Sequence, residues 1–435
     1  MSQQDGVTLN RQERKNGHRF IKYARSGWYC TVMRREANQD WATRIVHPRD
    51  LSQSDIAAWR AIQASVPTLQ SPLLGPDFAL AIGAVRRDAR VAIAVDARTD
   101  PFAFFGFHHR PNGFARPLGA PFADYHALIC RPDAALDLSD LVDAAGLSAF
   151  RLTGFIDHRA GEIARALPYQ PAYRIRLSGT SADYLERLKQ ESANRYKNLR
   201  RYSGKLERAL GPLMLNTSDR DVGAFTRLLD WKRRQLVRSG LANFLGPRWC
   251  QSLMRNLFTG EVPKDGPRET RFQGLMISLY AGGRHVAGHF GIRLGGHFHP
   301  WIGAMDPELD SLGAGFVHQW RAIEAMSDIG LHTYDLGPGE DHWKRMFTST
   351  TVDVHMGLIT SPGLGGRLAA ASDAVWGQSP LNRSLLAKRL RNRLDHIATL
   401  ELTLAGRTRG LFDAAVSLPR RNATRRTDVP AAPKP

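Results

Sequence analysis

The sequence predicts a mixed α/β (α+β) fold in which two related units stand in tandem, each with a mixed central sheet, followed by a helical C-terminal extension. Three observations predict it. Apolar runs of strand length alternate with amphipathic stretches of helical period in both halves of the chain. In the second half, Leu275 to Tyr280, His285 to Arg293 and Gly296 to Met305 read as three strands joined by Ala-Gly-Gly-Arg and Leu-Gly-Gly hairpin turns. That meander runs directly into the turn Asp310-Ser-Leu-Gly-Ala-Gly315, an amphipathic helix to about residue 329 and a further strand at Thr333, giving the order strand, glycine turn, helix, strand.

A chain of 435 residues exceeds the usual single-domain size, so two domains are expected. Hydrophobic residues at 43% and charged residues at 23% match an ordinary globular protein and exclude an intrinsically disordered one. No run approaches the roughly 18 to 20 apolar residues of a membrane span, and the polar, basic N-terminus lacks an apolar signal core, so a cytoplasmic protein is expected. Cys30, Cys130 and Cys250 lie far apart without metal-site spacing and read as free or buried thiols. The net charge of +19 is the strongest compositional signal, because such a field attracts polyanions: nucleic acid, anionic lipid headgroups, acidic polysaccharide or a phosphate-bearing ligand. Basic residues cluster in the first thirty or so positions, from Arg187 to Arg208, from Arg383 to Arg393 and from Arg420 to Arg426. The alternative reading is a solvated basic surface.

Five segments follow from the patterning. Residues 1–40 are polar and basic and are expected to be loosely ordered. Within 41–180, a helix is predicted from Asp55 to Ala64, a hairpin from Phe78–Ala84 and Arg90–Val95, and a strand from Phe102 to Phe107. A Gly- and Pro-rich loop from Phe114 to Tyr125, a helix over Leu138–Ala145 and a strand over Ala149–Thr153 complete that unit. Residues 181–362 open on one long helix, Ser181 to Leu210, capped by Ser181 and stopped by Gly211-Pro212, with Arg195, Lys197, Arg200 and Arg201 as a basic face. Helices at Val222–Arg238 and Arg248–Leu257 lead into the meander, and Phe316, Trp320, Ile323 and Met326 form the core face of the helix after the glycine turn. Residues 363–418 read as a basic helical extension and 419–435 as a disordered basic tail.

The chemistry concentrates in the second unit. Glycines at a helix start leave backbone N–H groups unpaired and unobstructed, so Gly313, Ala314, Gly315 and Phe316 suit a phosphate or pyrophosphate. Asp335 stands at the end of a strand, where a carboxylate acts as a base near an acceptor or caps the amides of the following Gly-Pro-Gly turn. Lys344 suits an anionic substrate or a salt bridge to Asp335 or Asp341. His285, His289, His297 and His299 cluster in the meander, with 297 and 299 on one face of a strand, but no Cys or carboxylate nearby in sequence completes a ligand set, so no metal is expected. His289 and His299 are candidate general bases, with hairpin packing as the alternative. The chain shows no Gly-x-Ser-x-Gly elbow, P-loop or dinucleotide fingerprint.

This ordering resembles the acyl-coenzyme-A-binding half of a GNAT acetyltransferase. The succession Gly315, Gly330, Asp335, Gly337, Gly339, Trp343, Lys344 is similar to the signature of one branch, the CelD/BcsL-type proteins associated with cellulose and exopolysaccharide synthesis. Ser71-Pro-Leu-Leu-Gly-Pro-Asp-Phe78, Ala123-Asp-Tyr-His126 and the stretch Ser192 to Arg201 extend the likeness over roughly residues 40 to 360. The resemblance implies tandem GNAT-like domains: a degenerate one over 41–180 and an acyl-CoA-binding one over 181–362. It implies an N- or O-acetyltransferase acting on a sugar or polysaccharide precursor, with acetyl-CoA as donor and no metal. The pantetheine arm would lie along the strand ending near Met305 and the pyrophosphate on the amides of residues 313–316. Asp335, Lys344, His289 and His299 are then the catalytic candidates, and Asp124, Arg195, Arg200 and Trp343 the acceptor-binding ones. Two positions depart from the pattern: Asp310, where ordinary GNAT turns carry Arg or Gln, and Trp343, where the branch usually has a Tyr. A FemABX-like aminoacyl-tRNA-dependent transferase and a nonenzymatic polyanion-binding protein with a decayed transferase fold are the competing readings. A saccharide or small-molecule acceptor is the expected partner, with nucleic acid less favoured and peripheral contact with an anionic membrane compatible with the charge.

Overall fold

The structure, a computed structural model, describes residues 9–15, 18–25, 28–34, 41–159, 167–239, 243–261, 271–339, 342–379, 384–401 and 406–408. Asp341 and the tail 419–435 lie outside them. The N-terminal stretch expected to be loosely ordered contains three strands, β1 (Leu9–Lys15), β2 (His18–Arg25) and β3 (Trp28–Arg34), in an antiparallel meander. β2 and β3 are rich in aromatic and β-branched residues, which is the composition of strands, whereas β1 is polar and basic.

The first unit runs β4 (Trp41–Val46), α1 (Gln53–Ser65), α2 (Pro76–Val85), β5 (Ala89–Asp96), β6 (Pro101–His109), β7 (Phe114–Pro117), β8 (Ile129–Cys130), α3 (Leu138–Ala144), β9 (Ala149–Phe155) and β10 (Tyr169–Arg176). Ser52 caps α1 through a capping box, its hydroxyl accepting from the Asp55 amide while the Asp55 carboxylate accepts from the Ser52 amide. The predicted strand at Phe78–Ala84 is a helix. Pro76 sits in its first turn, and Phe78, Ala79 and Ile82 recur at helical spacing and bury in the core, so the apolar run wraps rather than extends.

The second unit runs α4 (Ser181–Glu191), α5 (Ala193–Leu210), β11 (Leu213–Asn216), α6 (Val222–Ser239), α7 (Arg248–Thr259), β12 (Phe272–Ala281), β13 (Arg284–Leu294), β14 (His297–Met305), α8 (Ala314–Glu324), β15 (Thr333–Pro338), α9 (His342–Phe347) and β16 (Thr350–Thr360). The single helix expected over Ser181–Leu210 breaks at Ser192, whose backbone leaves the helical region at φ −155° and ψ 82°. Its cap is Thr180, not Ser181: Thr180 and Asp183 form the capping box, and Ser181 instead gives its amide to the Ser327 hydroxyl at 2.7 Å. The extension contributes α10 (Leu364–Gln378) and α11 (Leu385–Leu400).

Both units share one 13-stranded mixed sheet, ordered β11-β12-β13-β14-β15-β10-β16-β9-β7-β6-β5-β4 with β8 paired to β6. The two halves repeat one plan. β4-β5-β6-β7 is an antiparallel meander whose last strand pairs in parallel with β9 over only Phe114↔Ala149 and Ala115↔Phe150. β11-β12-β13-β14 is a second meander, and β14 pairs in parallel with β15 over only His297↔Thr333 and Phe298↔Tyr334. Each half then sends its final strand to the other: β10 pairs with β15, β16 pairs with β9, and the two pair antiparallel at the centre. This is the tandem GNAT-like arrangement expected from the sequence.

The halves differ where their parallel strands part. In the first, the chain re-enters the gap: the His126 amide donates to the Gly154 carbonyl at 2.9 Å, the Ile156 amide donates to the His126 carbonyl at 2.7 Å, and Ile129–Cys130 continue along β6. In the second, the pairing of β14 with β15 ends at Phe298↔Tyr334. Helices cover both faces. α1, α2, α6 and α7 enclose a core containing Trp59, Phe78, Phe225, Leu257, Phe290 and Ile302, while Leu185, Trp320, Ile323, Phe298 and Tyr334 pack together on the side of α4 and α8. The extension docks on the first half. Arg110 donates to the Ala398 and Thr399 carbonyls at 2.9 and 2.7 Å, groups that the end of α11 leaves without helical partners. Arg116 forks onto Asp395 at 2.8 and 2.5 Å.

Candidate functional site

Beyond Phe298 and Tyr334, strand alternation turns His297, His299 and Asp335 to the face opposite those two rings, which meet edge to face at 5.0 Å. Asp335 is fully buried. Its Oδ1 accepts from the Tyr125 hydroxyl at 2.5 Å and from the Gly337 amide at 3.0 Å, and its Oδ2 from Arg174 Nε at 2.8 Å, with His297 Nε2 at 3.1 Å. Burial alone would raise the carboxyl's pKa, but the Arg174 guanidinium and the hydrogen bonds from His297 and His299 hold it well below the usual carboxylate range. Of the two roles offered by the sequence, base or turn cap, Asp335 therefore has the environment of the cap. It is a shielded anion with no exposed oxygen, and a base facing an acceptor needs the reverse.

His299 is buried between two carboxylates, its Nε2 3.0 Å from Asp124 Oδ2 and its Nδ1 3.5 Å from Asp335 Oδ1. Burial disfavours the charged ring, yet the paired carboxylates outweigh it and raise the pKa to about 9, so His299 is an imidazolium at neutral pH. A protonated His299 is a hydrogen-bond donor and not a free general base. Asp124 alone of this group faces solvent, with 39% of its side chain exposed against 11% for Arg174 and none for His299 or Asp335. Arg174, Asp335, His299 and Asp124 thus alternate in charge along one line of contacts that ends at the solvent-facing Asp124. Two glycines let Asp124 approach: a Cβ on Gly154 (φ +68°) would stand 2.0 Å from the Asp124 carbonyl oxygen, and one on Gly337 (φ +70°) 2.6 Å from Asp124 Oδ2. The Arg174 guanidinium lies 4.9 Å from the Tyr125 ring centre.

The remaining candidates divide. His289 lies on the other face of the sheet, half-buried, its Nδ1 2.5 Å from the Tyr334 hydroxyl and its ring 4.4 Å from that of His318; burial pushes its pKa well below the ordinary value. It is a neutral imidazole, separated by the sheet from the Asp124–His299 pair. Lys344 is buried and donates to the Pro338 carbonyl at 2.7 Å, tying α9 to the end of β15, and Trp343 packs half-buried against the cluster around Tyr334. Arg195 and Arg200 are exposed on α5. Among the described residues no group of three or more His, Cys, Asp or Glu is arranged to hold a metal ion.

At the glycine turn, Gly313 adopts φ +69°, and a Cβ there would stand 2.8 Å from the Tyr202 ring. Two of the four amides are spent locally: Gly313 donates to the Asp310 carbonyl and Phe316 to the Gly313 carbonyl, each at 3.1 Å. Ala314 and Gly315 open α8, where the helix supplies no acceptor to their N–H groups. The Phe316 ring stacks on Tyr202 at 5.9 Å. Six residue steps along β14 take the chain from His299 to Met305 beside this turn, roughly 20 Å of strand.

Tyr125, Arg174 and His297 were not singled out from the sequence as site residues. The signal for Arg174 was a cation inside the otherwise apolar strand segment Ala172-Tyr-Arg-Ile175, a residue type that is rarely buried unpaired. Tyr125 and its neighbour Asp124 lie far from β15 in sequence, and only the strand exchange brings them there.

Residues 193–345 match the family model described as the acetyltransferase (GNAT) domain. That stretch, which contains β14, the glycine turn, α8 and β15, therefore has a GNAT-like transferase fold. No curated protein matches the chain. Among solved structures, FemX is similar at 10% identity over 75% of this chain and 99% of its own, with a TM-score of 0.47. The C-terminal domain of a putative lysylphosphatidylglycerol synthetase from Agrobacterium fabrum is similar at 12% identity, covering 74% of this chain and 97% of its own, TM-score 0.40. A tandem GNAT protein from the clavulanic acid biosynthesis pathway is similar at 10% identity, over 74% of this chain and 99% of its own, TM-score 0.42.

Proposed function

We propose that the chain is an acyl-CoA-dependent N- or O-acyltransferase with one donor site, in its second half, and that Asp124 receives the proton of the acceptor. One observation carries this reading: the gap between the parallel strands is filled by the chain's own backbone in the first half, whereas in the second it is flanked by a glycine turn at one end and a solvent-facing carboxylate at the other. The pantetheine arm would add to the free edge of β14 as an extended strand, and the pyrophosphate would meet the amides of Ala314 and Gly315. The acceptor amine or hydroxyl approaches Asp124. As its bond to the thioester carbonyl carbon forms and the carbon–sulfur bond breaks, Asp124 takes the acceptor's proton and the leaving thiolate is protonated in turn. His299 is the positioning residue that fixes Asp124, and Asp335 with Arg174 holds His299 charged.

Acetyl-CoA as donor and a sugar or polysaccharide precursor as acceptor, in exopolysaccharide or cellulose synthesis, are supported by the likeness of the Gly315-to-Lys344 pattern to the CelD/BcsL-type signature. One observation favours the aminoacyl-tRNA reading instead. Asp310 brings a carboxylate to the turn where a pyrophosphate would sit, while Arg195 and Arg200 lie exposed on α5. Calorimetric titration with acetyl-CoA at physiological salt separates these readings. Saturable micromolar binding that Gly315→Val weakens supports the thioester donor. No saturable binding, or binding that disappears with salt as a purely electrostatic contact does, overturns it.

A further inference from the structure

Helix α10 carries its side chains the wrong way round for a packed helix. Its small residues Gly366 and Ala369 face the protein, with Gly365 and Gly366 seated against Ser148 and Ser361. Three of its large apolar residues face out: Leu364 is 77%, Leu368 65% and Val375 70% exposed. These positions, together with exposed Ala371, recur at i, i+4, i+7 and i+11 and so form one stripe, roughly 16 Å long. Burying these side chains against the protein plays no part in holding α10. Its attachments include the close glycine contacts, the buried Ala369 and the ion pairs of Asp373 with Arg151 at 3.0 Å and Arg391 at 2.9 Å.

The extension that carries the stripe is basic in sequence. Arg367 is exposed beside it, and α11, joined to α10 by Arg391 both at Asp373 and over the Trp376 ring at 4.6 Å, carries Lys388, Arg389, Arg391 and Arg393 in sequence. The two acidic residues of this helix pair are neutralised, Asp373 as above and Asp395 by Arg116. Leu394 adds a further apolar side chain, 42% exposed, on α11.

We propose that the α10–α11 pair docks on an anionic lipid bilayer, with Leu364, Leu368 and Val375 inserted at the boundary of headgroups and acyl chains and Arg367 on the headgroups. An apolar stripe set in a basic field is the combination that holds a helix in the plane of such a surface. Charge selects the bilayer over a second copy of the chain: two such faces brought together would oppose like charges, while anionic headgroups complement them.

The test is co-sedimentation of the full chain with vesicles of phosphatidylcholine alone or mixed with phosphatidylglycerol, beside size measurement of the protein in solution. The expected result is binding to the mixed vesicles that falls by about tenfold or more in the triple variant Leu364→Gln/Leu368→Gln/Val375→Gln. That variant should keep the wild-type melting temperature, because the three side chains are exposed. Arg367→Glu should weaken binding without touching the stripe. Equal binding to both vesicle types, or a triple variant that binds as well as wild type, overturns the proposal. So does a concentration-dependent dimer that the triple variant reduces to monomer in a protein that ignores vesicles.

Discussion

His299 Nε2 lies 3.0 Å from Asp124 Oδ2, and the two residues belong to different halves of the chain. The second half contributes a buried imidazolium and the first a carboxylate that reaches solvent. Neither half holds the pair by itself.

Asp124→Asn keeps the shape and removes the negative charge. Turnover should fall by a factor of about 100 to 10,000 while the dissociation constant for the acyl donor stays unchanged. Steady-state kinetics beside calorimetry check both, once an acceptor is in hand from analysis of acylated sugars in cells lacking the protein. Full turnover in this variant would remove Asp124 from the chemistry.

His299 makes stability depend on pH in a stated direction. Its folded pKa of about 9 lies above the ordinary value of 6.5, so the folded state binds the proton more tightly than the unfolded chain. The stabilisation is fully present below pH 6.5 and is lost as pH rises through about 9. Melting temperatures of wild type and His299→Gln should therefore differ most near pH 6 and converge toward pH 10. A gap that widens with rising pH would show that the ring is neutral in the fold.

Asp335→Asn leaves Arg174 buried without its counter-ion. Loss of one partner from a buried pair costs about 3–5 kcal/mol, so urea unfolding should shift by that amount. Asp124→Asn, at a partly exposed carboxylate, should shift it far less. Similar costs for the two would contradict the order of burial from Asp335 to Asp124.

Gly315→Val should fold, since Gly315 lies inside α8 and a Cβ there meets only Met305 Sδ at 3.3 Å. The added methyl groups crowd the start of the helix, and donor affinity should drop by about tenfold or more. Calorimetry with acetyl-CoA measures it. Gly313→Val should instead fail to fold well, because φ +69° and the Tyr202 ring leave no place for a branched side chain.

The meander, the glycine turn and the helix after it were readable because each is local: hairpin glycines, strand alternation and helical period all act within a dozen residues. The misreadings were local as well. Phe78–Ala84 is apolar at nearly every position, so periodicity did not separate strand from helix, and Pro76 in the first turn was the deciding residue. Nothing in the run from Ser181 to Leu210 except Ser192 marks the break between two helices. The site was legible only in part. Asp335, His299 and Asp124 were each visible as residues, but their division of labour depends on burial, and burial is set by Arg174 and Tyr125 arriving from the other half.

The exchange of β10 and β16 also sets the order in which the chain can become stable. The sheet of the first half is completed by Thr350–Thr360, synthesised about two hundred residues after β9, so its edge stays unpaired until nearly the whole chain has emerged. Such long-range pairing makes folding slow for the chain's size, and it removes any early stopping point: a nascent chain ending before β16 carries a first half with an open strand edge. A fragment of residues 41–180 should therefore associate through that edge or be degraded. The acceptor side of the site would then form only on a chain that has already finished making its donor side.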